Sequence, residues 1–410
     1  MSSPWRDCCP PESKSALCYP PYTPRFPACL RQDEKILPQI LRHDALLFYP
    51  FESMDPFLHL VREASSDPNV LSIKITIYRL ASKAKLAEYL CAAAENGKEV
   101  TVLMELRARF DEQNNIQWAE RMEEAGCTIL YGTEGFKVHS KICLITRRER
   151  GKIQYITQVG TGNYNEKTAK QYTDLCLMTA RPELGEDAAV LFRNMATANL
   201  EGDYKHLLVS PFQLRDKVME LMDREIKKGP QGYIFLKLNS VTDRKLIDKL
   251  AQASQAGVEV VMNVRGICCI RPGIPGLTDH ITIFSIVGRY LEHTRIYRFG
   301  RGDDADLYIS SADFMTRNTE RRVEVACPVL DPQVRRSIFH ICDVLVSDNV
   351  KARQLGPDGQ WGPRKTGAAP CSSQDVFLEE GLGTTYQEPA ARPAKGKKGK
   401  KGLLSRLFKR

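Results

Sequence analysis

The chain lacks any long hydrophobic segment. No apolar run approaches the ~18 residues that a transmembrane helix needs, and residues 1–7 show no basic region followed by an apolar one. We therefore expect neither a membrane-spanning helix nor a secretory signal. The thirteen cysteines form no CxxC pair and no Cys/His cluster at zinc spacing, so free thiols buried in a reducing cytoplasm are the better interpretation.

Apart from its end, the chain also lacks a net charge. The formal net charge is +9, and residues 391–410 alone hold nine Lys or Arg and no acid, which leaves 50 basic and 50 acidic residues elsewhere. Residues 354–410 lose hydrophobic periodicity and predict a disordered basic tail. Such tails are most often only solvated, although apolar residues among the last cations also fit weak contact with an anionic membrane.

What the sequence does contain is a regular alternation of strands and helices, after an irregular leader at residues 1–30 that is rich in Pro and Cys. Periodicity predicts helix 55–64, strand 70–78, helix 83–95, strand 100–106, helix 112–125 and strand 128–131. A second block repeats this plan with strand 233–238, helix 243–256 and strand 258–264. We predict an α/β fold with two similar domains, residues 31–208 and 209–353.

The most informative stretch is Phe-Lys-Val-His-Ser-Lys at residues 136–141. On a predicted strand His139 and Lys141 share one face, because side chains two residues apart point the same way. The Gly-rich turn 160–167 follows about twenty residues later. An imidazole nucleophile, an ammonium and a turn rich in backbone N–H groups together indicate a site for phosphoryl groups.

A single histidine on a strand is more often a packed or solvated residue, but this pattern occurs twice. His293 and Arg295 repeat the spacing, and residues 307–313 again form a strand that ends in small and polar residues. Two copies argue against chance. We predict that the two histidines face one shared cleft.

Arginines follow several predicted strands at their carboxyl ends. Arg79, Arg107 and Arg109 do so in the first block and Arg265 in the second. Ligands of open α/β sheets bind at this edge, and guanidinium groups suit phosphate oxygens. We favour an anion pocket over the alternative of solvated or ion-paired surface residues.

The longest motifs are IKITIYRL, ENGKEVTVLMELRARFDEQNNIQWAERMEEAG, KVHSKICLI, VGTGNYNEKTAKQYTDL, VRGICC, IVGRYLEHTRIYRF and ISSADFMTRNTERRVEV. Together they resemble the C-terminal half of bacterial polyphosphate kinase of the first type, over about residues 31–353. The resemblance implies a phospholipase-D-like fold of two similar domains whose histidines meet in a tunnel. It further implies reversible transfer of the γ-phosphate of ATP to the end of inorganic polyphosphate, with Mg²⁺, in a homo-oligomeric protein without nucleic acid.

Residue by residue, the resemblance assigns His139 as the phosphorylated histidine and His293 as a second essential histidine that contacts phosphate and acts as an acid or base. It places Arg79 and Arg109 in the phosphate and Mg²⁺ region. Tyr172 and Arg265 match nucleotide-contacting positions. Lys141 and Asn163 complete the first motif, and Arg295 completes the second. The assignment of these three residues rests more on the chemistry of their side chains than on the resemblance.

Two alternatives stay open. Phospholipase-D-like phosphodiesterases carry an Asp five residues after the Lys of the histidine motif, whereas Thr146 and Gly300 stand there in this chain, which favours a kinase. The family also carries two further N-terminal domains, with an adenine-contacting asparagine and part of the dimer interface. The second alternative is therefore an inactive or merely polyphosphate-binding fragment.

Overall fold

The structure, a computed structural model, describes residues 18–105, 112–132, 135–367 and 369–381. Arg107 and Arg109, most of the leader and residues 382–410 lie outside these ranges. Within the described ranges, no helix combines the length and hydrophobicity that crossing a bilayer demands.

The first repeat is built around one twisted sheet. Its elements are α1 (Ile36–Arg42), β1 (Ala45–Tyr49), α2 (Asp55–Ser66), β2 (Val70–Ile77), α3 (Lys85–Glu95), β3 (Glu99–Met104), α4 (Glu112–Glu124), β4 (Thr128–Leu130), β5 (Lys137–Val138), β6 (Ile142–Glu149), β7 (Lys152–Gly160), β8 (Tyr172–Thr179) and α5 (Pro182–Ala196). The strand order is β1-β8-β7-β6-β2-β3-β4. Strands β2, β3 and β4 are parallel, and the remaining neighbours are antiparallel.

The second repeat has the same topology. Its elements are β9 (Leu208–Ser210), α6 (Leu214–Lys228), β10 (Tyr233–Leu238), α7 (Arg244–Gln255), β11 (Glu259–Val264), β12 (Ile281–Ile286), β13 (Leu291–Glu292), β14 (Ile296–Phe299), β15 (Asp306–Ser310), α8 (Thr316–Glu320), β16 (Arg322–Pro328) and α9 (Pro332–Ser347). The order β9-β16-β15-β14-β10-β11-β12 matches the first sheet strand by strand. The predicted α/β fold of two similar domains is confirmed.

Local sequence explains why these elements form and where they end. Helix α2 buries Phe57, Leu58, Val61 and Ala64, which recur at helical spacing and face the core. Several helices end at a glycine with positive φ, such as Gly97 (φ +77°) after α3 and Gly257 (φ +86°) after α7. This left-handed conformation lets the following backbone N–H groups bond the last helical carbonyls, so the chain turns directly into the next strand.

Two short strands pair with the sheet of the other repeat and not with their own. β5 pairs in parallel with β16 of the second sheet, through Lys137–Arg322 and Val138–Val323. β13 pairs in parallel with β8 of the first sheet in the same way. Each of these strands immediately precedes one of the two motif histidines. The two repeats are therefore joined at the point where the candidate site lies.

Apolar side chains form three cores. One lies between the first sheet and helices α1 to α4, and another between the second sheet and helices α6 and α7. The third fills the space between the two sheets and holds one face of each, together with α5 and α9. Because both sheets contribute to this central core, the repeats bury apolar surface against each other, which stabilises their pairing.

The prediction of a disordered tail from residue 354 is wrong for residues 354–367 and 369–381. Strands β17 (Ala352–Leu355) and β18 (Trp361–Pro363) extend the second sheet beyond β12, and helix α10 (Ser373–Glu380) follows. The physical reasons are the pairing of β17 with β12, the hydrogen bonds that the carboxylate of Asp348 accepts from Ser373 and an aromatic anchor on α10. Phe377 of α10 is 1% exposed and packs on Phe48 and Phe51, with ring centroids 5.0 and 5.3 Å away.

The part of the leader that the structure describes, residues 18–30, is also in contact with the first repeat. Residues 18–30 have little regular structure, but the backbone of Arg25 forms an isolated parallel β-bridge with that of Glu52. Leu30 is buried in the first core. The hydroxyl of Tyr22 donates to the carbonyl of Phe51 over 2.7 Å. This part of the leader therefore packs on the first repeat.

Replacing Phe377 with alanine tests the corrected view of the C-terminal segment. We expect the free energy of unfolding to fall by about 3–5 kcal/mol, as for other buried phenylalanines, measured by denaturant titration of the whole chain. Asp375 lies exposed on the same helix, so Asp375→Ala is a matched control with an expected change within about 0.5 kcal/mol. Equal stability of the two variants would contradict the burial of Phe377 and would support the original prediction that residues 373–380 are disordered.

Candidate active site

The segment that carries His139 and Lys141 crosses from one sheet to the other. β5 ends at Val138 in the second sheet and β6 begins at Ile142 in the first. Residues 139–141 are therefore not part of a strand, and the prediction that His139 and Lys141 share one face of a continuous strand is wrong. Backbone N–H groups of both His139 and Ser140 bond the carbonyl of Val323, so the crossing is pinned to the other repeat.

The imidazole of His139 is held by a carboxylate of the second repeat. Its Nδ1 lies 2.9 and 3.0 Å from the two carboxylate oxygens of Glu324, which is fully buried on β16. Ser311 and Asn318 also donate to this carboxylate. A proton on Nδ1 donated to Glu324 leaves the lone pair of the neutral ring on Nε2, the nitrogen that can act as a nucleophile.

The imidazole of His293 has the reciprocal arrangement. Its Nδ1 lies 2.9 Å from both carboxylate oxygens of Asp174, on β8 of the first repeat. The hydroxyl of Thr161 donates to Asp174 over 2.6 Å. A Cβ at Gly162 would lie 2.0 Å from the same carboxylate, so the second glycine of the Gly-rich turn is needed for close approach.

The two halves of the site are related residue by residue. Thr161 precedes Asp174 by the same thirteen residues that separate Ser311 from Glu324, and each hydroxyl donates to its carboxylate. Each hydroxyl also accepts the backbone N–H of the residue after the acid, over 2.9 Å in the first repeat and 3.1 Å in the second. The site is thus a pseudo-twofold pair of hydroxyl, carboxylate and imidazole groups.

Burial and neighbouring cations lower the pKa of both imidazoles. Burial lowers the pKa of His139 well below its ordinary value, and the charges of Lys141 and Arg322 lower it further. Burial and Arg295 also lower the pKa of His293, against the opposing effect of Asp174. Arg295 and Lys141 lower the pKa of both rings, and His293 also contributes to that of His139, which indicates that the two imidazoles share one charged pocket.

Lys141 and Arg295 occupy equivalent positions but have different partners. Lys141 is fully buried, its Nζ donates to the carbonyl of His139, and burial lowers its pKa to about 7. Arg295 is paired with Asp313 over 2.9 Å and also lies 3.1 Å from Nε2 of His293. Burial alone would lower the pKa of Arg295, but Asp313 raises it. The second repeat therefore holds a permanent cation and the first a titratable one.

The other predicted residues lie around the histidines to different degrees. The ring centroid of Tyr172 is 5.4 Å from that of His293. Arg265 donates to Asn239 over 2.7 Å, and Asn239 donates to the carbonyl of His293 over 3.0 Å. These contacts place Tyr172 and Arg265 on the His293 side of the pocket.

On the His139 side, Tyr78 packs edge-on against His139 with centroids 5.1 Å apart, and Arg79 lies over the Tyr78 ring at 5.6 Å. The side-chain oxygen of Asn163 is buried and accepts no hydrogen bond from any residue in the described ranges. Arg109 lies outside those ranges, so its predicted place in the phosphate region stays a prediction.

Sequence reasoning missed the residues that orient the histidines. Asp174, Glu324 and Asn318 were not singled out, nor was Arg322, whose charge lowers the pKa of His139, and Thr161 and Ser311 were quoted only within their motifs. One signal was present, since both repeats place an acid thirteen residues after a hydroxyl residue, within a strand that is otherwise almost entirely apolar. A buried acid in an apolar strand needs a partner, and the two unpaired histidines were candidates.

The comparisons with known proteins agree with the geometry. Residues 35–201 match the family described as polyphosphate kinase C-terminal domain 1, and residues 207–374 match polyphosphate kinase C-terminal domain 2. A polyphosphate kinase of Bacillus cereus is 47% identical over 348 residues, which are 84% of this chain and 50% of that protein. The chain thus spans about half the length of the relatives it matches.

Solved structures give the same result. The crystal structure of polyphosphate kinase from Porphyromonas gingivalis superposes with a TM-score of 0.83 at 36% identity, covering 90% of this chain and 57% of that one. A phosphatidylserine synthase of Haemophilus influenzae shares the fold, with a TM-score of 0.52 at 12% identity over 82% of this chain and 92% of that one. Two domain families that together cover most of the sequence, and the shared two-repeat architecture, lead to one conclusion: this chain belongs to the polyphosphate kinase family and corresponds to its C-terminal half.

Proposed function

We propose that this chain transfers the γ-phosphoryl group of ATP to the end of inorganic polyphosphate through a phosphohistidine at His139. The observation that carries the proposal is the neutral imidazole of His139, held through Nδ1 by buried Glu324. That arrangement leaves Nε2 unprotonated at neutral pH, which a histidine nucleophile requires. Membership of the polyphosphate kinase family supports the choice of substrates.

In the first step Nε2 of His139 attacks the γ-phosphorus of ATP in line. An N–P bond forms as the bond from phosphorus to the bridging oxygen breaks, and that oxygen leaves with ADP. In the second step an oxygen of the terminal phosphate of polyphosphate attacks the phosphohistidine, and the imidazole leaves in its neutral form. Each step exchanges one bond to phosphorus for another of similar energy, so the reaction runs in both directions.

The cations around the rings stabilise the charge that spreads over the transferring phosphoryl oxygens. Lys141 and Arg295 are the nearest, and Arg322 adds a third charge on the His139 side. His293 contacts the phosphoryl group and exchanges a proton with it, while Asp174 fixes its orientation. Tyr172 and Arg265 bind the nucleotide, with Arg79, Arg109 and Asn163 toward the phosphates.

The residues that the structure describes do not provide a protein-built magnesium site. Within the described ranges no three His, Cys, Asp or Glu side chains are grouped as metal ligands. The arginines predicted for the Mg²⁺ region are cations and cannot be its ligands, and Asp174 and Glu324 are committed to the histidines. We propose that Mg²⁺ enters with ATP, bound mainly by the phosphates.

The proposal is tested by incubating the whole chain with γ-labelled ATP. We expect label on the protein that is stable to base and lost in acid, as a phosphoramidate is, and no label on His139→Ala. His340→Ala removes a half-exposed surface histidine and is the matched control that should retain full labelling. Label that persists in His139→Ala would remove the assignment, and polyphosphate binding without any label would select the binding-fragment alternative.

The pH dependence of labelling tests the role of Lys141. The pKa of His139 lies well below 6.5, so the nucleophile is neutral throughout pH 6.5–9 and gives no acid limb there. The ammonium of Lys141, with a pKa of about 7, is lost as the pH rises through that value, because burial outweighs the attraction of Glu324. The second-order rate constant for labelling should therefore fall between pH 7 and pH 9.

Lys141→Arg carries a charge that does not titrate in this range, so it should label more slowly but without the fall above pH 7. Lys85→Arg, at an exposed site, is the control and should keep the wild-type profile. An unchanged alkaline fall in Lys141→Arg would exclude Lys141 as the titrating group.

A further inference from the structure

A buried polar cluster that the proposed mechanism does not use lies beside His293. Glu292, the residue before His293, is paired with Lys237 over 2.9 Å, and the two side chains are only 2% and 1% exposed. Gln374 donates to the other oxygen of Glu292 over 2.6 Å. We call Lys237, Glu292 and Gln374 the polar clamp.

The clamp reaches His293 through one hydroxyl. Thr173 donates from Oγ1 to Glu292 over 3.1 Å, and the same oxygen accepts the backbone N–H of His293 over 3.1 Å. Thr173 directly precedes Asp174, the acid that holds the imidazole. The clamp therefore fixes both the main chain of His293 and the strand position of its carboxylate.

Gln374 lies on α10, after the last strand of the second sheet. Its side-chain oxygen accepts the backbone N–H of Tyr290 and its nitrogen donates to the carbonyl of Tyr290, both over 2.9 Å. A Cβ at Gly288 would lie 2.5 Å from the Gln374 oxygen. The Gln374 side chain thus makes the two hydrogen bonds to the main chain of Tyr290 that a neighbouring strand would make. It supports the segment 288–292, which leads into His293.

Helix α10, which carries Gln374, is itself anchored to both repeats. Phe377 packs on Phe48 and Phe51 of the first repeat. Ser373 donates from its backbone N–H and its hydroxyl to Asp348, the residue that follows α9 in the second repeat, over 2.8 and 2.7 Å. A movement of α10 therefore changes the support of His293.

The fold does not require this cluster. Val138 is the equivalent of Glu292 in the first repeat, since each is the last residue of its exchanged strand, before the histidine. At that position an apolar side chain, Val138, is buried in the central core and needs no ion pair. Burying a Lys–Glu pair costs free energy that its attraction often only offsets, so a role in specifying one geometry is the better explanation of the clamp.

We propose that Gln374 is a positioning residue, which acts through the polar clamp to hold His293 against Asp174. Its consequence for the rate rests on the proposed function, whereas its consequence for the geometry of His293 does not. The C-terminal helix is then a support for one half of the active site.

The test replaces Gln374 with methionine, which keeps the volume and removes the three hydrogen bonds. The whole chain, selectively labelled with ¹⁵N at histidine, is studied by NMR, and the signals of His293 are assigned with His293→Gln. We expect the hydrogen-bonded Nδ1 proton of His293 to be lost or shifted in Gln374→Met, and the titration of His293 to move, while the signals of His139 stay unchanged.

The kinetic counterpart is a split between kcat and KM. A misplaced His293 should lower kcat for nucleotide turnover about 10- to 100-fold, with KM for ATP within about twofold. Gln374→Asn, one methylene shorter, should show a smaller effect in the same direction and serves if the methionine variant is poorly folded.

Two controls separate positioning from simple loss of stability. Leu250→Ala opens the core between the second sheet and α7, away from α10 and the clamp, and it should lower the melting temperature but leave the His293 signals in place. Asp375→Asn, on the exposed face of α10, should change neither. Unchanged His293 signals in both Gln374 variants, or the same change in Leu250→Ala, would overturn the proposal. Absence of any phosphohistidine would instead refute the proposed function and leave the NMR result valid.

Discussion

Everything at the candidate site depends on one reciprocal exchange. Each motif histidine follows a two-residue strand that pairs in the sheet of the other repeat, and each is held by a carboxylate of that other repeat. Neither repeat alone contains an imidazole with its orienting acid. The central core between the sheets is what keeps the two half-sites in register, because any sliding of one sheet on the other would separate both pairs at once.

The exchange also explains how so many charges can be buried in one place. Glu324, Asp174 and Asp313 face Lys141 and Arg295, so the pocket is not a cluster of one sign. Burial raises the pKa of Glu324, but it lowers that of Lys141. Asp313, paired with Arg295, has a pKa of about 2. The pocket therefore combines neutral imidazoles with one permanent cation, Arg295, and one titratable cation, Lys141, which is the environment that the proposed phosphoryl transfer needs.

The sequence predicted what periodicity and local signals control. Helices such as α2 and α7 and strands such as β10 follow directly from the spacing of their apolar residues and from glycine at their ends, and the repeat of the histidine motif revealed the pairing of the domains. The break at residues 139–141 could not be predicted, because it depends on Val323, far along the chain. The roles of Asp174 and Glu324 were hidden for the same reason.

The C-terminal segment was misjudged on different grounds. Helix α10 is short and weakly amphipathic, and residues 356–372 are rich in Gly, Pro and polar residues. Its order comes from Phe377 in the central core and from the carboxylate of Asp348, which collects five hydrogen bonds. Composition alone predicts that such a segment is disordered, because composition contains no information about the distant residues that the segment packs against.

The separation of each histidine from its acid has a consequence for biosynthesis. His139 waits for a carboxylate 185 residues further along the chain, and Asp174 for an imidazole 119 residues further. During translation the first repeat can collapse as soon as it leaves the ribosome, yet its histidine stays without its acid until β16 has emerged. A growing chain thus has no imidazole of this pair fully oriented by its acid until nearly all of the second repeat has been synthesised.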